Sequence, residues 1–172
     1  RFRHKLFRGG WSEPIEREMF ERGHAAAMLP YDPIRDEVVI IEQIRVGALE
    51  QASPWQFEVV AGIIDTDESA EEVVRREAME EANADLELGD LLAVYTVERL
   101  SQVQILYRAT LNSPDFSAGE ESLEVQLFDW EEIPWDDIAF PTVHWILEHD
   151  RQVEAGEAKA PFENPEGQVA DL

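Results

Sequence analysis

The chain has no cysteine, which excludes a disulfide framework, a thiolate metal site and a cysteine nucleophile together. It is also short of positive charge, with 14 Lys and Arg against 38 Asp and Glu and a formal net charge of −24. So acidic a surface opposes a polyanion and makes nucleic acid a poor partner. No apolar run reaches the length of a membrane span, and the start, Arg1-Phe2-Arg3-His4-Lys5, lacks the apolar core of a signal peptide. No membrane partner is expected, and a soluble cytoplasmic protein is the default. The first residue is not Met, which reads as a missing leading segment. The four histidines, His4, His24, His144 and His149, show no ligand spacing and read as surface or capping residues. What remains is 172 residues, 44% of them hydrophobic, enough for one domain with a real core. The acidity has two readings: carboxylates partly neutralised by bound cations over a solvated surface, or adaptation to salt.

Along the chain, Phe2 to Phe7 alternates as a strand, Gly9-Gly10 reads as the turn after it, and Glu16 to Gly23 is expected to return antiparallel. His24 to Leu29 and Glu37 to Arg45 are apolar, β-branched runs separated by the turn chemistry of Pro30-Tyr31-Asp32-Pro33. Trp55 to Val60, Leu91 to Val97, Gln102 to Leu111 and Leu123 to Trp130 are the remaining strands. Pro141 stands as a first helical residue before Val143, Ile146 and Leu147. From Glu154 onward Ala, Gly, Glu and Pro dominate without periodicity, so one domain over 1–153 and a weakly ordered tail over 154–172 are expected. The class is α+β, a mixed sheet with helices on its faces.

The most informative segment is Gly62 to Ala84. On an ideal helix of about 100° per residue, Ala70, Val73, Val74, Glu77, Ala78 and Glu81 share one arc of roughly 140°. Glu71, Glu72 and Arg75 lie on the far side. Two carboxylates on a core-facing stripe are costly unless a cation compensates them. Glu77 and Glu81 are one turn apart and can converge on a single site, with Glu80 close enough to join. All-oxygen ligation suits Mg²⁺ or Mn²⁺.

The whole array is Gly62, five residues, Glu68, seven residues, Arg76-Glu77, Ala78, Met79, Glu80-Glu81, Ala82, Asn83, Ala84. It resembles the box of the Nudix hydrolases and matches it at every charged position. Asn83 stands where that family has Gly, and Asn is the next best residue for a left-handed helix terminus. The resemblance implies an α/β/α sandwich and metal-dependent cleavage of phosphoanhydrides. Glu77, Glu80 and Glu81 would hold the metal, with Glu68 or the Ala61 carbonyl completing the site. Arg76 would orient the carboxylates rather than touch substrate. For the water-activating base the candidates are Glu120 and Glu121, in the irregular stretch Ser117 to Ser122, a loop able to close over the metals.

Upstream, Glu21-Arg22-Gly23-His24-Ala25-Ala26, Leu29-Pro30-Tyr31-Asp32-Pro33 and Ile41-Glu42-Gln43-Ile44-Arg45 are similar to the bacterial ADP-ribose pyrophosphatases. That likeness implies cleavage of ADP-ribose to AMP and ribose 5-phosphate, with Arg17 against the adenine, Arg45 on the diphosphate and Glu58 lining the site. It also implies a homodimer in which the N-terminal strands, about 1–22, cross between subunits. Beyond the box the chain departs: Val97-Glu98-Arg99-Leu100 replaces a Gly-rich loop with Pro, leaving Glu98 as an acidic substrate contact. Gly119 to Val125 and Ile133 to Pro141 look like another Nudix branch, as in an intermediate subfamily or a recombined sequence. Two alternatives therefore stand beside ADP-ribose hydrolysis: a pyrophosphatase for another nucleoside diphosphate sugar, and a nucleotide-binding module that does not cleave.

Overall fold

The computed structural model describes residues 1–16, 23–50, 52–65, 67–120 and 122–170. Seven strands form one sheet: β1 (Ala25–Asp32), β2 (Glu37–Ile44), β3 (Trp55–Glu58), β4 (Val60–Ile63), β5 (Leu86–Val97), β6 (Gln102–Leu111) and β7 (Ser122–Asp129). The main path runs β3-β2-β1-β6-β5, with β4 on β1 and β7 on β2. β1 and β6 are parallel and the other pairs antiparallel, so the sheet is mixed as expected. Helices α1 (Ala70–Ala82) and α2 (Pro141–Glu154) complete the fold.

The continuous apolar runs of β1 and β2 follow from burial on both faces. Ala27, Leu29, Val38 and Ile40 pack with Val143, Ile146 and Leu147 of α2. Their alternating neighbours Ala26, Met28, Val39 and Ile41 pack with Val73, Val74, Ala78 and Ala82 of α1. The sheet is thus the middle of an α/β/α sandwich. Each Val, Leu, Ile or Met among them taken out of water contributes about 1.5–3 kcal/mol before chain entropy is set against it. No helix among the described residues is long and apolar enough to cross a membrane.

A fork in the sheet creates the site. β1 pairs with β2 only at Tyr31↔Val38 and Asp32↔Glu37. Further along, Ala25–Met28 pair with β4 while Ile41–Ile44 pair with β3, so the β3–β4 segment lies between them. The expected single strand Trp55 to Val60 is therefore two, interrupted at Val59, and the second runs on through Ala61-Gly62 to Ile63.

Other boundaries also move. β1 runs on through Pro30–Asp32, and the turn comes at 33–36, where Asp32 Oδ1 accepts the Ile34 N–H at 2.8 Å and Asp36 has φ 60°. β5 starts at Leu86, ahead of the expected Leu91, because its ladder with β6 absorbs Gly89-Asp90 as a register shift. The N-terminal strand is reduced to the bridges Phe2↔Ile15 and Lys5↔Trp11 around the Gly9-Gly10 turn. The chain thus returns through Trp11–Ile15, before the expected Glu16, and 17–22 lie outside the described residues.

The tail differs most from its compositional expectation. Phe162 exchanges backbone hydrogen bonds with β5, its N–H to Leu92 O at 2.8 Å and Val94 N–H to its own O at 2.9 Å. Asn164 bonds both the N–H and the C=O of Thr96, and Trp145 Nε1 donates to Gln168 Oε1 at 2.8 Å. β5 ends the strand order, and its open edge supplies the partners that composition cannot reveal.

Candidate functional site

Helix α1 is built from both ends. Ser69 is its N-cap in a reciprocal box with Glu72, the Ser69 hydroxyl accepting from Glu72 N and the Glu72 carboxylate accepting from Ser69 N. Asn83 ends it in the left-handed conformation at φ 44°, as the Gly-to-Asn replacement predicts. The arc drawn from sequence is realised: Val73, Val74 and Ala78 are buried, and Glu81 among them is 4% exposed.

One guanidinium gathers three of the acids. Arg76 Nε and Nη2 donate to the two oxygens of Glu68 at 3.0 and 3.1 Å, and Nη1 donates to Glu77 Oε1 at 2.7 Å and Glu80 Oε2 at 2.9 Å. Arg76 thus bridges three carboxylates, its charge held firmly on by Glu68 first. Glu77 reaches across β4, where a Cβ on Gly62 would fall 2.0 Å from Glu77 Oε1. Only glycine leaves that space open.

Glu81 stands apart from Arg76. Gln43 Nε2 donates to its Oε1 at 2.5 Å and the Ala61 N–H to its Oε2 at 3.2 Å. Burial pushes the Glu81 carboxyl up to about 8 against those two donors, and the charges of Glu77 and Glu58 push the same way. On the neighbouring strands Arg45 forms an ion pair with Glu58 and lies over the Phe140 ring, 5.3 Å from its centroid. Glu58 is 3% exposed; burial raises its carboxyl and Arg45 pulls it down. Among the described residues, Arg45 Nε and Glu58 Oε1 are buried without a hydrogen-bond partner.

These groups line a cleft of about 820 Å³ at the sheet fork. Its wall holds the carboxylates of Glu58, Asp65, Glu68, Glu77 and Glu81 and the guanidiniums of Arg45 and Arg76. Five negative charges against two positive ones make the cleft wall anionic when all are ionised. Gln43, Gln102, Gln104, Phe140 and Thr142 line it too, and the sequence reading assigned none of them. Gln43 left one legible signal, an amide continuing the buried row Val39 and Ile41.

Other expected residues lie elsewhere. Glu80 and Glu120 line an adjacent depression with Met79, Asn83, Ala118 and Gly119. The loop before Glu120 is docked on the end of α1: Ser117 N–H donates to Ala82 O and Gly119 N–H to Glu81 O, both at 2.9 Å. Gly119 sits so close that a Cβ there would fall 1.7 Å from Glu80 O. Glu120 itself is exposed. Glu98 is exposed at the start of a 3-10 turn and does not line the cleft. Arg17 and Glu121 lie outside the described residues.

The donor chemistry fits a divalent cation. Carboxylate oxygens of α1 and of the loop between β4 and α1 line the cleft, with negative charge in excess and Glu58 Oε1 buried without a hydrogen-bond partner among the described residues. Among the described residues no three acidic or histidine side chains surround one point, because Arg76 occupies the space between Glu68, Glu77 and Glu80.

Residues 21–146 match the NUDIX domain family. The chain is 60% identical over 83 residues to the ADP-ribose pyrophosphatase of Escherichia coli (strain K12), a stretch covering 48% of this chain and 40% of that protein. It is 30% identical over 125 residues to the GDP-mannose pyrophosphatase of Yersinia pestis (strain Pestoides F), covering 70% and 63%. The chain thus spans less than two thirds of the length of either relative. Among solved structures, a NUDIX hydrolase from Nitrosomonas europaea superposes with a TM-score of 0.70 at 28% identity, over 94% of this chain and 92% of that one.

Proposed function

The chain belongs to the NUDIX domain family, and from that premise we propose that its cleft hydrolyses the diphosphate linkage of ADP-ribose to AMP and ribose 5-phosphate. The observation that carries the proposal is the charge arrangement: carboxylates of α1 and of the loop between β4 and α1 in excess, and Arg45 with an Nε–H that has no hydrogen-bond partner among the described residues. An anionic diphosphate does not settle against so many carboxylates without a countercharge. Glu77, Glu80 and Glu81, with Glu68 and the Ala61 carbonyl, would hold Mg²⁺ or in its place Mn²⁺. When bound, that ion neutralises phosphate oxygens and acidifies water. Arg45 binds the diphosphate, kept in orientation by Glu58 and the face of Phe140. Arg76 fixes Glu68, Glu77 and Glu80.

Water adds to one phosphorus, the P–O bond to the other phosphate breaks, and the proton leaves to a carboxylate. Glu120 or Glu121 takes that proton and Arg17 meets the adenine; Glu98, outside the cleft, is left without a part. The protein acts as a homodimer through its N-terminal hairpin, where Phe2, Phe7 and Trp11 are exposed. Light scattering that finds only monomer removes this last element.

The test is AMP release, followed by chromatography, from ADP-ribose, ADP-glucose and a deoxynucleoside triphosphate, each with and without Mg²⁺. Metal-dependent turnover of ADP-ribose alone is expected. A second reading, another nucleoside diphosphate sugar, is favoured by the likeness to the GDP-mannose enzyme, and turnover of the sugar nucleotides in preference to ADP-ribose selects it. Binding of ADP-ribose without AMP release identifies a non-catalytic module.

A further inference from the structure

Gln43 is a polar residue in an otherwise apolar row. Along β2, Val39 and Ile41 face α1 and are fully buried, and Gln43, next in the alternation, is 6% exposed. A buried amide in such a row is costly unless its hydrogen bonds are made. The bond it makes is to a catalytic-helix acid: Nε2 donates to Glu81 Oε1 at 2.5 Å and lies 3.5 Å from Ser122 Oγ. The β2–β7 ladder changes register between Glu42 and Gln43 and sets Gln43 opposite Ser122. Register shifts of this kind re-aim side chains beside functional sites.

The two oxygens of Glu81 therefore each have a neutral donor from the sheet, Gln43 on one and the Ala61 N–H on the other. Arg76, which holds Glu68, Glu77 and Glu80, makes no bond to Glu81. Neutral donors orient a carboxylate while leaving its charge available to a cation.

We propose that Gln43 is a positioning residue that fixes the Glu81 carboxylate for the divalent cation and thereby sets the affinity of this protein for metal. The inference rests on the reading of Glu81 as a cation ligand. Gln43→Met keeps the volume and removes the donor. Mn²⁺ is titrated into the substrate-free protein and the free ion is read by electron paramagnetic resonance, with the urea midpoint measured beside it. Gln43→Met is expected to weaken Mn²⁺ binding about tenfold, the effect typical of removing a partner that orients a metal ligand. In a Glu81→Gln background the same change is expected to have no further effect.

Wild-type Mn²⁺ affinity in Gln43→Met overturns the inference and leaves the cation reading standing. An equal added loss in the Glu81→Gln background also overturns it, because Gln43 then acts elsewhere. If Gln43→Met does not fold, Gln43→Asn, which withdraws the donor by one methylene, decides by the same titration. A wild-type protein that binds no Mn²⁺ overturns the cation reading, and this inference with it.

Discussion

Two glycines touch the same acidic turn and answer to different physics. A methyl on Gly62 meets the mobile end of Glu77, 2.0 Å from Oε1, so Gly62→Ala displaces a carboxylate and spares the backbone. Its kcat is expected to fall at least tenfold, one step of about 1.4 kcal/mol in barrier, with little change in melting temperature. A methyl on Gly119 meets backbone, 1.7 Å from Glu80 O, where nothing can yield cheaply. Gly119→Ala is expected to cost about 1–3 kcal/mol of stability, as overpacking does, read from urea denaturation. Glu81→Gln preserves the shape and the burial of the side chain but not its charge. Turnover should fall at least about a hundredfold, since metal-borne charge stabilisation is worth several kcal/mol, while circular dichroism stays unchanged. Turnover at the wild-type rate would remove Glu81 from the mechanism.

Helix α1 is the element on which the site depends, and its ends are set by side chains rather than by its interior. Asn83 holds a left-handed backbone at φ 44° and donates from Nδ2 to Ser117 O, Ser117 Oγ and Ala118 O, each at 3.3 Å. Both helix termination and the seating of the loop before Glu120 pass through this residue. Asn83→Ala is expected to lose about 1–2 kcal/mol, the cost of a left-handed conformation for an ordinary side chain, measured as a lower urea midpoint. Asn83→Gly relieves the backbone and loses only the loop bonds, so it should lie between wild type and Asn83→Ala. The sheet fork matters at the same scale. Because β3 and β4 pair with different neighbours, Glu58 and Ala61 sit on opposite sides of one break in the strand and both reach the cleft.

For the whole molecule, the C-terminal segment is tied to the core through a titratable group. His149 stacks on Phe162 at 4.0 Å between centroids and shares a 2.6 Å hydrogen bond with the Tyr95 hydroxyl. Burial lowers its pKa below the ordinary 6.5, against the raising effect of Glu148. The folded state thus favours neutral His149, and its contribution is present above pH 6.5 and lost as pH falls through the lowered value. Glu81 and Glu58 have raised values and act with the opposite sign, so the comparison is made between proteins. His149→Phe should lose less stability than wild type between pH 7 and pH 5, measured as the difference in urea midpoints. The sequence by itself determined what depends on near neighbours. The acids of 68–81 recur at helical spacing, the continuous apolar runs of β1 and β2 mark buried strands, and Asn83 and Pro141 mark helix ends, because these act within a turn or two of chain. Only the tertiary structure decided the pairing of Gln43 with Glu81 across 38 residues, the seating of Arg45 on Phe140, the docking of the Ser117–Gly119 loop and the return of Phe162 to the edge of β5. Each of those depends on which strands become neighbours, and composition and periodicity carry no term for that.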